Sequence, residues 1–189
     1  LVGSEMCIRD SNEVHTWSHG AGNQSLPTYS GVNEVSYSDN WVYIRTTGLG
    51  HHIMGPWYRD ELDTQLFGNF PANIAAIYRF PRTPSGASSD YNITTGGAIG
   101  YFIDGVALFD ARDAFSYINN LGIDGTPNGN NGRGDGIWNR DAYENESITF
   151  DSANAHQSSD TYHYNANPHA LRYILDDHVD YNSIINTYS

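Results

Sequence analysis

The chain has 189 residues, which is enough for one domain with a substantial core and does not require a second domain. Its formal net charge is -13, with 22 acidic residues against 9 cationic residues, and every cationic residue is an arginine. Such a charge opposes contact with phosphate backbones and anionic membranes, so we expect no nucleic-acid partner. No apolar run reaches the roughly 18 residues that span a bilayer, so we also expect no membrane insertion.

The two ends of the chain are predicted not to be native. Residues 1–11 (LVGSEMCIRDS) resemble a translated sequencing adapter, and we interpret them as an artefact of cloning or assembly. They contain Cys7, the only cysteine, so the rest of the chain has no thiol for a disulfide or a cysteine-based zinc site. Residues 12–189 are predicted to form one domain that is truncated at both ends. The lack of a visible signal peptide therefore says nothing about export.

The first predicted elements form a β-hairpin over residues 32–46. β-branched and aromatic residues alternate there on both sides of a polar turn at residues 38–40, as in half-buried strands. A short strand over residues 74–80 follows, in a segment that several prolines make otherwise irregular.

Residues 98–110 predict a second hairpin. Apolar positions alternate up to Asp104-Gly105, and this dipeptide between two strand patterns favours a type I′ turn, in which both central residues have positive φ. The Gly-, Asn- and Asp-rich residues 121–136 predict an exposed loop with no apolar core of its own. Pro168 at a first helical position, with Asn167 as N-cap, predicts a short helix.

These elements indicate a mainly β fold, in which an antiparallel β-rich domain carries long polar loops and one or two short helices. Aromatic residues make up 13% of the chain, and 19 residues are glycine, which is typical of extracellular β-rich modules. We therefore predict an extracellular or periplasmic location.

The candidate site is centred on the sequence Tyr162-His163-Tyr164-Asn165. Side chains alternate along a strand, so His163 and Asn165 should share one face while the two tyrosines anchor the other face in the core. Imidazole nitrogen suits copper or zinc, whereas an Asn carbonyl oxygen suits calcium, so all three metals stay open. His156 and the distant His52 are the predicted further ligands. Alternatively, these histidines only hydrogen-bond loops to the core.

Carboxylates form a second set of candidate site residues. Asp104, Asp110 and Asp113 cluster around the second hairpin, and paired carboxylates serve as general acid and base or hold calcium. In a chain this acidic, we interpret most of them as solvated loop residues. The Asp-rich residues 124–141 could also bind calcium, although their spacing is not that of an EF-hand. Phosphate-binding loops, nucleophile elbows and HExxH helices are absent from the sequence.

Many segments of the chain resemble the YHYH-domain family. The segments that carry the resemblance are Thr-Gly-Leu at 47–49, His-Ile-Met-Gly-Pro-Trp at 52–57, Tyr-Arg-Phe-Pro-Arg at 78–82, Asp-Gly-Val at 104–106, Phe-Asp at 109–110, Asp-Ala at 113–114, Gly-Ile-Trp-Asn-Arg-Asp-Ala at 136–142, Thr-Phe-Asp at 149–151, His156, and residues 162–173. The resemblance implies a secreted or periplasmic module of unassigned function, common in marine and environmental bacteria. The chain departs from the family at Asn165, where the motif has its second histidine.

The predicted function is binding of a metal ion (copper, zinc or calcium) or of a small ligand at a His-rich site. The predicted site residues are His52, His156, His163 and Asn165. The predicted supporting residues are Asp151, Tyr162, Tyr164, Asp104, Asp110 and Trp138. Two alternatives stay open, namely a hydrolytic or oxidative enzyme acting on an environmental polymer and a structural or adhesive cell-surface module. The predicted partner is a small molecule or a polysaccharide, and the sequence does not indicate an oligomeric state.

Overall fold

The computed structural model describes residues 29–65, 67–86, 93–126, 132–185 and 187–189, together with the backbone of four short strands near the N-terminus. Those strands are β1 (Val14–His15), β2 (Ser18–His19), β3 (Gly22–Asn23) and β4 (Thr28–Tyr29). β1 pairs with β4 and β2 pairs with β3, both antiparallel. Residues 1–11, which we interpret as adapter-derived, lie outside the described part of the chain.

A three-stranded antiparallel sheet follows the N-terminal strands. It consists of β5 (Val32–Tyr37), β6 (Trp41–Thr46) and β7 (Ala76–Pro81), in that order. The predicted hairpin over residues 32–46 is confirmed, and Ser38 N–H donates to Trp41 O across its turn at 2.8 Å. The strand predicted over residues 74–80 begins two residues later than expected.

The sheet that carries the candidate site has four strands. These are β8 (Ala98–Tyr101), β9 (Ala107–Phe109), β13 (Ala155–Ser158) and β14 (Thr161–Tyr164), and their spatial order is β13-β14-β9-β8. β14 is an inner strand that pairs antiparallel with β13 and parallel with β9. The molecule is mainly β, as predicted, although this sheet is mixed rather than purely antiparallel.

The turn between β8 and β9 differs from the predicted type I′ turn. Gly105 has a positive φ of 77°, but Asp104 does not have a positive φ, and Gly105 N–H donates to Phe102 O at 2.9 Å. The Asp104 carboxylate accepts a hydrogen bond from Val106 N–H at 3.1 Å and is buried. The turn therefore spans residues 102–105, with Asp104 at its third position, and the Asp104 carboxylate bonds locally to the backbone two residues on.

A third sheet contains β10 (Arg112–Ile118), β11 (Ile123–Asp124) and β12 (Asn139–Asp141), with β10 in the centre. The predicted loop over residues 121–136 is exposed for most of its described residues, but it contains β11 and is bonded back to β10. Gly125 N–H donates to Ser116 O, and Ser116 N–H donates to Arg133 O. Backbone hydrogen bonds thus order a segment that has little apolar surface.

Short helices complete the fold. α1 (Ala142–Glu146) has Asp141 as N-cap, whose carboxylate accepts from Glu144 N–H, and a 3-10 helix (Ser147–Thr149) follows it. α2 (His169–Ile174) confirms the predicted helix, but its N-cap is Pro168 instead of Asn167. β15 (Tyr181–Asn182) and β16 (Thr187–Tyr188) form a final antiparallel pair. In the described part of the chain, no helix has the length and apolarity needed to cross a bilayer.

The core lies against one face of the four-stranded sheet. Its largest fully buried side chains include Tyr162 and Tyr164 of β14, which pack with Leu49 and Val106. The predicted alternation is confirmed here, because the tyrosines fill the core while His163 takes the other face. That second face carries the candidate site.

Candidate functional site

Two histidines lie side by side on the hairpin of β13 and β14. His156 and His163 are directly paired across the strands, and their ring centroids are 4.8 Å apart. Phe109 of β9 stacks on His163 with 3.7 Å between the ring centroids. Both imidazoles are buried, so their orientations are fixed by packing.

The hydrogen bonds of these histidines define their tautomers. His163 Nδ1 lies 3.1 Å from Thr161 O, and because a carbonyl only accepts, Nδ1 carries the proton. His156 Nδ1 lies 2.7 Å from Thr149 Oγ1, whose own proton is donated to Glu146 O at 2.7 Å. His156 Nδ1 must therefore donate as well. In both rings Nε2 is left as the acceptor.

Burial keeps both rings neutral. It lowers the pKa of His156 to about 3, with a further contribution from the neighbouring His163. It lowers the pKa of His163 to about 4, although the bond to Thr161 O acts in the opposite direction. At neutral pH the pair therefore presents lone pairs rather than positive charge.

A cavity of about 340 Å³ opens beside this pair, and we call it the histidine cavity. Its lining includes Phe109, Arg112, Glu146, His156, His163 and Asn165. Asn165 Nδ2 is buried with no hydrogen-bond partner among the described residues. Within that same part of the chain, His163 Nε2 also has no hydrogen-bond partner. The lining of the histidine cavity thus includes one residue with an unpaired buried donor and one with an unpaired acceptor.

A carboxyl pair lines the same cavity. Asp113 accepts from Arg140 Nε at 2.6 Å and Nη2 at 2.5 Å, and its side chain is almost fully buried. Glu146 hydrogen-bonds to Asp113, and burial followed by the proximity of Asp113 raises the pKa of Glu146 to about 8. Two carboxyl groups in contact disfavour each other's ionisation, and Arg140 forms its ion pair with Asp113. With a pKa of about 8, Glu146 therefore holds its proton at neutral pH.

Glu146 also lies next to the histidine pair, with Oε2 3.4 Å from His156 Nε2. Sequence reasoning missed this residue, because no motif connects it with Asp113, 33 positions earlier in the chain. The sequence feature that could have indicated it is the Asp141 cap, because Glu146 is the last residue of the short helix that this cap begins.

His52 is separated from the other two predicted histidines. It lies on the tyrosine face of β14, where its Nε2 is 2.9 Å from Tyr164 Oη and its Nδ1 is 3.0 Å from Ile53 O. Tyr164 in turn donates to Asp104 at 2.8 Å, and burial raises the pKa of that carboxyl. His52 and Asp104 thus hold Tyr164 in the core instead of lining the histidine cavity.

Asp151 likewise belongs to the tyrosine face. Its carboxylate accepts from Tyr162 Oη at 2.7 Å and from the backbone N–H groups of Gly55, Ala153 and Ala155. Burial raises the pKa of Asp151 to about 6 in spite of these bonds. The predicted supporting role of Asp151 is therefore to anchor the strand that carries His163.

The remaining predicted residues differ in their relation to the cavity. Asp110 accepts from Arg112 Nε at 2.8 Å and from Thr94, and these bonds, with Arg112 first, lower its pKa to about 2. It therefore fixes the guanidinium of Arg112 at the cavity wall. Trp138 is 68% exposed and does not line the cavity.

No three His, Cys, Asp or Glu side chains within the described ranges are arranged to hold a metal ion. Neither the set of His52, His156 and His163 nor the described aspartates between residues 124 and 141 form such a group. The histidine cavity therefore offers two neutral imidazoles, an amide and a protonated carboxyl without a metal cage.

A family model described as YHYH protein matches residues 77–185. Among curated proteins and among solved structures, nothing matches the chain. The matched range contains the histidine cavity and the carboxyl pair, whereas His52 and the similar segments at residues 47–57 precede it.

Proposed function

The chain belongs to the YHYH protein family, and from this premise we propose that the module binds a small hydroxyl-bearing molecule, such as a sugar unit, in the histidine cavity. The cavity volume of about 340 Å³ lies at the lower end of the range of small-molecule sites, roughly 300 to 1,000 Å³. A single sugar ring is an occupant of suitable size.

The observation that carries this proposal is the pair of unpaired polar groups in the cavity wall. A buried donor or acceptor without a partner costs about 1 to 3 kcal/mol. Asn165 Nδ2 is such a buried donor, and His163 Nε2 is an acceptor with no hydrogen-bond partner among the described residues. A hydroxyl group both donates and accepts, so a polyhydroxylated ligand satisfies both groups.

The same geometry favours an organic ligand over a metal ion. Copper, zinc or calcium would need further ligands in addition to the two imidazoles, and His52 lies on the opposite face of β14. Neutral rings also give no attraction for a simple anion. A neutral, hydrogen-bonding ligand is therefore the best match for the chemistry of the cavity wall.

The proposal is tested by saturation-transfer NMR with a panel of monosaccharides and polyols, followed by calorimetric titration of those that bind. We expect Asn165→Ala to weaken binding about tenfold, which corresponds to the loss of one hydrogen bond. The free energy of unfolding should stay the same or rise, because the substitution removes an unsatisfied buried group.

Asn120→Ala is the matched control, since Asn120 is exposed and lies outside the cavity lining. It should leave the affinity unchanged. If no member of the panel receives saturation from the protein, or if Asn165→Ala binds as tightly as the native chain, the proposal fails.

A further inference from the structure

A second cavity of about 370 Å³ adjoins the histidine cavity, and we call it the arginine cavity. Asp113, Glu146 and His156 line both cavities, so the two spaces meet at the carboxyl pair. We propose that the arginine cavity is a subsite for an acidic sugar unit, so that the full ligand is an acidic oligosaccharide of at least two units. This inference rests on the proposed function of the histidine cavity.

Arg59 supplies the positive charge of this subsite. Its side chain is exposed, and it forms no ion pair with any described residue. The guanidinium lies 5.9 Å from the centroid of the Phe67 ring, inside the lining of the arginine cavity. A Cβ at Gly68 would collide with Arg59 Nη2, so the glycine leaves room for the guanidinium. The positive charge of Arg59 therefore lies at the arginine cavity and is not neutralised by any described acidic side chain.

The local charge balance is opposite to that of the whole chain. Arg59 and Arg140 contribute two positive charges to the lining, and Asp113 contributes one negative charge. Glu146 holds its proton and His156 is neutral, so the lining carries a net charge of one positive unit. In a chain with a formal net charge of -13, this is a specific place for an anion.

The rest of the lining suits a sugar ring. Phe67 and Phe115 present aromatic carbon, and Asn69 and Asn145 present amide groups that match hydroxyls. A guanidinium donates in a planar fork to an anionic oxygen pair, so the substituent of the sugar is a carboxylate or a sulfate. Both substituents share this chemistry, and the experiment separates them.

The test is calorimetric titration with four probes, namely the best monosaccharide from the first panel, cellobiose, digalacturonate and neocarrabiose sulfate. We expect at least one acidic disaccharide to bind about tenfold or more tightly than cellobiose, since charge-assisted hydrogen bonds contribute about 1.5 to 3 kcal/mol. The preferred acidic probe identifies the substituent as carboxylate or sulfate.

Two variants locate the effect. Arg59→Gln should remove the preference for the acidic disaccharide, and Gly68→Ala should reduce it by less, because the end of the exposed Arg59 side chain can shift away from the added Cβ; neither should change the affinity for cellobiose. Arg79→Gln is the matched control, because this exposed arginine lies over Trp41 on the other sheet and should change neither affinity.

Several outcomes would overturn the inference. Equal affinity of the native chain for acidic and neutral disaccharides would contradict it. An equal loss of affinity for both disaccharides in Arg59→Gln would also contradict it, because Arg59 would then have only a structural role. If the monosaccharide binds and Asn165→Ala weakens it while disaccharides bind no better, the arginine subsite is wrong and the proposed function stands. If no probe binds, both proposals fail.

Discussion

At the scale of single residues, the hydroxyl groups of Tyr162 and Tyr164 determine how β14 is held. Each donates to a buried carboxylate, Asp151 for Tyr162 and Asp104 for Tyr164, at 2.7 and 2.8 Å. A buried carboxylate is costly without such donors, so each tyrosine stabilises the fold through its hydroxyl as well as its ring. His163 is held in place by the anchoring of its two neighbours.

Tyr162→Phe tests this anchoring. The substitution keeps the buried ring but removes one donor from Asp151, so we expect the free energy of unfolding to fall by about 1 to 3 kcal/mol. Urea denaturation at pH 7 measures the change. Tyr143→Phe is the control, since Tyr143 is 52% exposed and should lose almost nothing. Equal effects of the two substitutions would mean that the bond to Asp151 contributes no net stability.

The site residues differ in how far the sequence could predict them. Alternation along one strand was sufficient to place His163 and Asn165 opposite the tyrosines, because that geometry is local. Glu146 was missed, since its contribution depends on a contact between the helix α1 and Asp113 of β10, 33 positions earlier in the chain. The prediction that His52 joins the pair is wrong, since His52 lies on the other face of β14. The sequence around a single histidine does not indicate which face of a sheet its side chain will contact.

At the scale of elements, the hairpin of β13 and β14 buries two histidines beside each other, and neither is charged at neutral pH. The unfolded chain binds protons at these rings below a pKa of about 6.5, whereas the folded chain does so only near pH 3 for His156 and pH 4 for His163. Both folded-state values are lowered. The unfolded state therefore holds more protons between pH 6.5 and 4, and each ring reduces stability as the pH falls through that window.

His163→Gln isolates the contribution of one ring. Lowering the pH from about 7 to about 5 should cost the native chain about 2 kcal/mol more than it costs the variant. Urea denaturation of both proteins at the two pH values gives this difference. The raised pKa values of Asp151 and Glu146 stabilise the folded state as the pH falls, and this contribution cancels because both proteins contain the two residues. His178→Gln, at an exposed position, should follow the native chain. A pH dependence in His163→Gln identical to that of the native chain would contradict the burial of a neutral ring.

The elements themselves were predictable where the pattern is local. The hairpin of β5 and β6 and the helix after Pro168 were both expected from periodicity and turn residues. The strand β11 was missed, because backbone hydrogen bonds to β10 order it without any apolar pattern. The parallel pairing of β9 with β14 was missed as well, because neighbours about 55 positions apart along the chain leave no signal in either segment.

At the scale of the whole molecule, the carboxyl pair of Asp113 and Glu146 lines two adjoining cavities of similar volume, about 340 and 370 Å³. The protonation of Glu146 therefore controls the charge of both cavities at once. Burial and Asp113 raise its pKa to about 8, so it is neutral at pH 7 and becomes charged as the pH rises to 9. Arg59, Arg140 and Asp113 together give the lining of the arginine cavity one net positive charge, and His156 is neutral. Ionisation of Glu146 would cancel that positive charge.

We therefore expect the affinity for an acidic disaccharide to fall between pH 7 and pH 9, while the affinity for cellobiose stays constant. The decrease should be several-fold and at most roughly tenfold, since the new charge acts across a partly solvated cavity. Glu146→Gln keeps a neutral group of similar shape and should remove the decrease, so calorimetric titration of both proteins at the two pH values provides the comparison. If Glu146→Gln shows the same decrease as the native chain, another group controls the charge of the arginine cavity.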